Sequence, residues 1–176
     1  MELSRVKLGI EKATEVLLGK ALWGWTRAGD LASFAFGERK EVPSSRGGTK
    51  AVGEFALHVQ CAWRITREDR VLVGSRDLYY PADYGDENRE ISPDFDWDRD
   101  PNRRDKLLRL LFEDGGRLFV VEAVEAGTAG SLHIGLGDGY CLDVFPDDSL
   151  NDERWRLFRP GVGEPHFVVT AHGLET

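Results

Sequence analysis

From Glu54 to Thr66 an apolar residue stands at every second position, and no other feature constrains the chain as strongly. The odd positions are Phe55, Leu57, Val59, Cys61, Trp63 and Ile65, and the even ones Glu54, Ala56, His58, Gln60, Ala62, Arg64 and Thr66. A period of two belongs to a strand, whose successive side chains point to opposite faces. The odd row is therefore core, the even row faces away from it, and the rest of the chain has to supply a sheet around this strand. The polar run Arg67-Glu68-Asp69-Arg70 turns the chain into a second strand, Val71 to Tyr80.

Other segments read the same way. With Gly29-Asp30 as a two-residue turn, Trp25 pairs with Phe34 and Trp23 with Phe36, so four rings share one face and Gly24, Thr26, Ser33 and Ala35 the other. Strands are expected at Leu118–Val124, Leu132–Leu136, Tyr140–Phe145, Trp155–Phe158 and Phe167–Ala171. A three-residue loop, Gly137-Asp138-Gly139, sets Leu136 opposite Tyr140, Ile134 opposite Leu142 and Leu132 opposite Val144. A two-residue loop would put Ile134 opposite Asp143 and mix the faces, so burial selects the longer loop. The same register places His133 opposite Asp143.

Two helices interrupt the strands. Leu3, Val6, Ile10, Ala13 and Leu17 fall on one helical face, with Gly19 as a stop signal and Gly9 weakening the first half. Asp100-Pro101 reads as an N-cap and first helical residue, followed by the stripe Leu107, Leu108, Leu111 and Phe112 and a stop at Gly115-Gly116. The fold expected is a single α+β domain over residues 1–176. It has a mostly antiparallel sheet of about eight strands with two helices packed on one face, a mobile loop at 43–50 and an acidic loop at 83–100.

Composition narrows the functions. With 31 acidic against 23 basic residues the net charge is −8, which argues against binding nucleic-acid backbones, since these need a positive footprint. No stretch is apolar enough for a signal peptide or a membrane span. Cys61 and Cys141 are too few and too distant for a disulfide framework. A cytoplasmic protein, with no membrane partner, is expected.

The chemistry-bearing residues form no specific motif. His58-x-x-Cys61, with His133 and Cys141, has zinc-ligand residue types, but on a strand His58 and Cys61 project to opposite faces, so no metal site is expected. Asp94-x-Asp96-x-Asp98 starts like a calcium loop, yet Arg99 stands where the turn needs glycine and Pro101 follows. A nucleophile elbow and a P-loop are both missing, and Gly135-x-Gly137-x-Gly139 lies between strands, where it opens no helix. No cofactor is expected.

Leu57-His58-Val59-Gln60-Cys61-Ala62-Trp63-Arg64-Ile65, continued by Val73-Gly74-Ser75-Arg76-Asp77-Leu78, resembles a family of small uncharacterised bacterial proteins. The blocks Leu132–Phe145 and Glu153–Phe158 carry the same resemblance, which covers most of residues 20–170; members often have Pro where this chain has Ala62. It implies a bacterial, cytosolic, single-domain protein and supplies no activity, ligand or catalytic residue. The hairpin followed by Glu153-Arg154-Trp155 is also similar to blocks in immunity-type proteins of bacterial toxin systems.

Two functions stand as expectations. The first is an immunity-like module that binds another macromolecule, a basic protein, through acidic surface. Residues 83–100 hold eight carboxylates against two arginines. Asp94, Asp96, Asp98 and Trp97 would face the partner, and Asp147, Asp148, Asp152 and Glu153 would add to the field. The alternative is a small hydrolase-type enzyme with a polar site built from His58, Arg64, His133 and Asp143, His133 acting as base and Asp143 orienting it.

Overall fold

A computed structural model describes residues 2–85, 89–114 and 118–175. Among them are twelve strands: β1 (Ala21–Ala28), β2 (Leu31–Pro43), β3 (Thr49–Val59), β4 (Ala62–Arg67), β5 (Arg70–Gly74), β6 (Phe119–Val120), β7 (Ala123–Ala126), β8 (Leu132–Gly135), β9 (Tyr140–Phe145), β10 (Glu153–Phe158), β11 (Phe167–Thr170) and β12 (Gly173–Leu174). Two helices accompany them, α1 (Glu2–Thr14) and α2 (Arg103–Arg109). The class is α+β, but the strands form two sheets rather than one of about eight. One sheet runs β12-β11-β10-β3-β2-β1-β6 and the other β5-β4-β9-β8-β7. Every pairing is antiparallel.

The alternating segment shows why one sheet became two. Leu57 and Val59 pair with β10 in the larger sheet, the Gln60 N–H still donates to the Arg154 carbonyl (2.8 Å), and from Ala62 onward the ladder is to β9 in the smaller sheet. Val59, Cys61 and Trp63 stay in the core throughout. The period is unbroken because the odd row always faces the same core, so the pattern carries no trace of the change in hydrogen-bond partner. Residues 118–124 divide likewise into β6 of the larger sheet and β7 of the smaller.

The two sheets bury their inner faces against each other. Phe34 of β2 meets Trp63 of β4 edge to face at 5.1 Å, and Phe119 of β6 meets Tyr140 of β9 at 5.1 Å. The buried apolar side chains form one continuous cluster. With both inner faces occupied, the helices sit at sheet edges and not together on one face. α1 lies against β7 and β12, and α2 against β5. Helix α1 runs through Gly9 because a Cβ there would come within 2.6 Å of the Leu174 side chain, so the glycine makes room for β12.

Local registers are partly as expected. The β8–β9 hairpin has the expected pairs, Leu132 with Val144, His133 with Asp143 and Ile134 with Leu142, closed by the Leu136 N–H donating to the Tyr140 carbonyl. In the β1–β2 hairpin Trp25 pairs with Phe34, but a bulge puts Leu22, not Trp23, opposite Phe36. A second irregularity lies between Phe36 and Arg39, where Gly53 passes so close that a Cβ would stand 2.7 Å from the carbonyl oxygens of Phe36 and Phe55. The β2–β3 ladder continues to the Pro43–Thr49 pair, so within 43–50 the turn itself is Ser44–Gly48.

The second strand ends at Gly74, six residues short of Tyr80, because the Asp77 carboxylate takes the Gly74 N–H (2.9 Å) and winds Ser75–Tyr79 into a 3₁₀ turn. The cap of α2 is Asn102, not Asp100. An isolated bridge to Pro81 holds Asn102 extended, and its Oδ1 accepts the Asp105 N–H at 2.9 Å. The expected stop at Gly115-Gly116 lies outside the described residues, as do Asp86 and Glu87 of the acidic segment. Among the described residues no helix is long and apolar enough to cross a membrane.

Candidate functional site

The acidic segment spends much of its charge on the fold. Arg27 of β1 donates to the Asp98 carboxylate (2.8 Å), the Asp98 carbonyl (2.9 Å) and Asp105 (2.8 Å). Asp96 accepts the Asp98 N–H at 3.0 Å and stands 3.6 Å from Arg99. Trp97 lies edge to face on Tyr79 at 5.6 Å, and its carbonyl accepts from the Asn102 side chain. Asp94 and Asp98 are the exposed carboxylates of the expected partner set, and of the two Asp94 has no ion pair among the described residues. The second cluster is answered in the same way. The buried Arg154 binds Asp148 at 2.6 Å, and Glu153 binds Arg156 at 2.6 Å and Gln60 at 2.9 Å.

Of the four expected polar residues, three come together. Arg64, Asp143 and His133 lie in one row across β4, β9 and β8 on the outside of the smaller sheet. His133 Nδ1 is 2.6 Å from Asp143, and Arg64 Nε 3.1 Å from its other oxygen. His58 is not with them. It points away from the core on the larger sheet, because the chain changes sheet between His58 and Arg64 and the same face of the sequence pattern then looks out of opposite sides. The nearest thiol on the same face as Asp143 is Cys141, two residues along β9, and burial followed by the Asp143 charge raises its pKa. A raised thiol is a poor nucleophile at neutral pH.

A wide concavity lies elsewhere, on the outer face of the larger sheet. It is a cleft of about 770 Å³ that includes His58. Its floor is a cross-strand row of small residues, Gly24–Ala35–Ala56, with Phe158 completing the row on β10. The adjoining row is polar: Thr26, Ser33, His58 and Arg156. Short side chains in the floor leave the volume open, and a Cβ built on Gly24 would meet nothing within 4 Å. The bulge at Trp23 supplies a wall. This ring leaves the core, lines the cleft, donates its Nε1–H to the Gly37 carbonyl (2.8 Å) and carries the Arg39 guanidinium at 4.2 Å over its face. The opposite wall is Phe158, packed edge to face on His58 at 4.6 Å and stacked on His166 at 4.4 Å.

His58 is held neutral. Burial first, and then the Arg156 charge, push its pKa down from 6.5 to about 4. No hydrogen bond among the described residues engages its ring nitrogens, so it offers the cleft one donor and one acceptor. The unfolded chain takes up this proton at the higher pH. The stabilisation is therefore complete above about 6.5 and declines as pH falls toward 4. Each tenfold change in proton affinity is worth about 1.4 kcal/mol, and because the ring is only half-buried the expected loss between about pH 7 and pH 5 is about 1 kcal/mol. Urea midpoints should show this loss in the wild type and not in His58→Gln; parallel pH curves for the two would mean that the ring titrates normally.

The cleft was hidden in the sequence for a specific reason. Gly24, Thr26, Ser33 and Ala35 were already on one hairpin face, but small residues on an outer face read as unremarkable until the register lines them up with Ala56. The alternation puts Trp23 on one face with Trp25, Phe34 and Phe36, since a bulge leaves no mark in it. A scan against family models, a search of curated proteins and a search of solved structures each find no match for this chain.

Proposed function

We propose that this chain works by binding rather than by catalysis, and that it takes an apolar body into the cleft on the outer face of the larger sheet. The observation that carries the reading is the cleft itself: about 770 Å³ over a floor of glycine and alanine. It stands between two aromatic walls and includes a neutral imidazole with unused hydrogen-bonding atoms. Ligand sites are typically concave, about 300–1,000 Å³, mostly apolar, with a few placed polar groups. Strand addition is a poorer route for a partner, because the edges β6 and β12 of the larger sheet are two residues long and α1 and α2 lie against the edges of the smaller one.

The enzyme alternative is weaker. The Arg64–Asp143–His133 row is bound to itself on a sheet face, without an activated nucleophile among the described residues. A basic partner at Asp94, Asp96, Asp98 and Trp97 is weaker too, since Asp98 and Asp96 already answer arginines and Trp97 is packed on Tyr79.

The test uses N-phenyl-1-naphthylamine, an uncharged probe that fluoresces when it leaves water. The wild type should bind it with saturable, one-to-one enhancement. Gly24→Phe should abolish most of that binding, about tenfold or more in affinity. It should also leave the melting temperature unchanged or higher, because the new side chain enters open space and glycine disfavours strands. Full binding by a folded Gly24→Phe variant, or none by the wild type, sinks the reading.

A further inference from the structure

The cleft carries more than apolar walls. Arg39 and Lys50, on the arm formed by β2 and β3, both line it. Several arginines and lysines that pack onto the folded sheets meet carboxylates: Lys20 with Glu54, Arg27 with Asp98 and Asp105, Arg64 with Asp143, Arg154 with Asp148. Among the described residues Arg39 and Lys50 have no such partner. Arg39 is stacked on Trp23, which fixes the plane of the guanidinium and leaves its N–H edge unspent. Glu113, the carboxylate that lines the cleft, stands 3.9 Å from Arg109. Two uncommitted cations beside an apolar cavity, on a chain of net charge −8, mark the place where a negative group is wanted.

We propose that the ligand is an amphipathic organic anion, its apolar body on the Gly24–Ala35–Ala56 floor between Trp23 and Phe158 and its anionic head against Arg39 and Lys50. This rests on the binding reading above and adds the charge of the ligand to it. The fork of Arg39 suits a planar carboxylate or a phosphate, with Lys50 as a point charge. His58 supplies a neutral hydrogen bond deeper in the cleft, and the adjacent Thr26 and Ser33 hydroxyls are further neutral partners. A neutral His58 fits beside these cations, since the Lys50 charge also disfavours its protonation.

The experiment compares two probes that share a ring system, 8-anilinonaphthalene-1-sulfonate and the uncharged N-phenyl-1-naphthylamine, on the full chain and on the double variant Arg39→Gln/Lys50→Gln. Neither substituted side chain has an ion-pair partner, and Arg39 gives up only an exposed stack on Trp23, so the variant should melt close to the wild type. It should lose about tenfold or more in affinity for the sulfonate and keep the neutral probe within about twofold. Sulfonate binding should also weaken between about 50 and 200 mM salt while neutral-probe binding does not. Dodecanoate or dodecyl phosphate should displace the sulfonate from the wild type, whichever head fits, and dodecanol should not. Equal losses for both probes, an unchanged sulfonate affinity in the variant, or equal displacement by dodecanol overturns the charge assignment and leaves the cleft standing. Failure of both probes to bind the wild type removes the cleft reading as well.

Discussion

Cys61→Asp is expected to cost several kcal/mol of stability and to leave the chain largely unfolded at 37 °C, for two reasons that act together. Cys61 is 7% exposed at the point where the chain leaves the larger sheet, and burial, followed by the charge of Asp147, pushes its thiol up to about 12. A carboxylate at the same place would be desolvated beside the like charges of Asp147 and Asp148, and the cation within reach, Arg154, is already bound to Asp148. Cys61→Ser and Cys61→Ala separate these effects, because serine adds only a hydroxyl and alanine only a small void. The order expected in urea midpoints is wild type, then alanine, then serine, with aspartate far below. An aspartate variant melting with the wild type would place Cys61 outside the core.

Trp63 should give the second large effect and a sharper diagnosis. Its ring is 2% exposed and holds the two sheets together through Phe34, so Trp63→Ala should lose about 3–5 kcal/mol by removing the contact and leaving a cavity. The indole N–H, however, is buried without a hydrogen-bond partner among the described residues. Trp63→Phe removes that unsatisfied donor along with one ring, and an unpaired buried polar group costs about 1–3 kcal/mol. The phenylalanine variant is therefore expected far closer to the wild type than to alanine. Calorimetric or urea unfolding of the three proteins decides it: a phenylalanine variant as unstable as alanine would mean that the indole N–H is satisfied in solution.

How much of this was legible depended on whether the information is local. The β8–β9 register could be read because a one-residue slip would have put Asp143 into the core in place of Leu142. The odd row of residues 54–66 is core for the same reason. The alternation could not reveal that the row serves two sheets, since the period of a strand reports which face is dry and says nothing about which neighbour accepts its hydrogen bonds. The bulge at Trp23 and the cap at Asn102 were lost for a related reason: both depend on a distant partner, the β2 ladder for one and Pro81 for the other. The candidate site was the least legible. Its floor joins Gly24, Ala35 and Ala56 from three strands, residue types with no chemistry of their own, and its cations, Arg39 and Lys50, are notable only because they line the cleft without an ion-pair partner. The row His133–Asp143–Arg64 drew attention by residue type, and the structure joins its members through the two oxygens of Asp143.

The crossings between the sheets have a consequence for how the molecule comes apart. The chain passes from the larger sheet to the smaller between β3 and β4, and again between β6 and β7, with Cys61 and Val121 buried at the two passages. A layered protein joined only by surface loops can shed one layer and keep the other. Here β3 is flanked on both sides in its sheet, and its backbone is continuous through the core with a strand of the other layer. Pulling either layer away drags a pivot residue out of the shared interior, so each layer's loss is charged to both. The molecule is expected to open as one cooperative unit, with calorimetric and van't Hoff enthalpies of unfolding that agree.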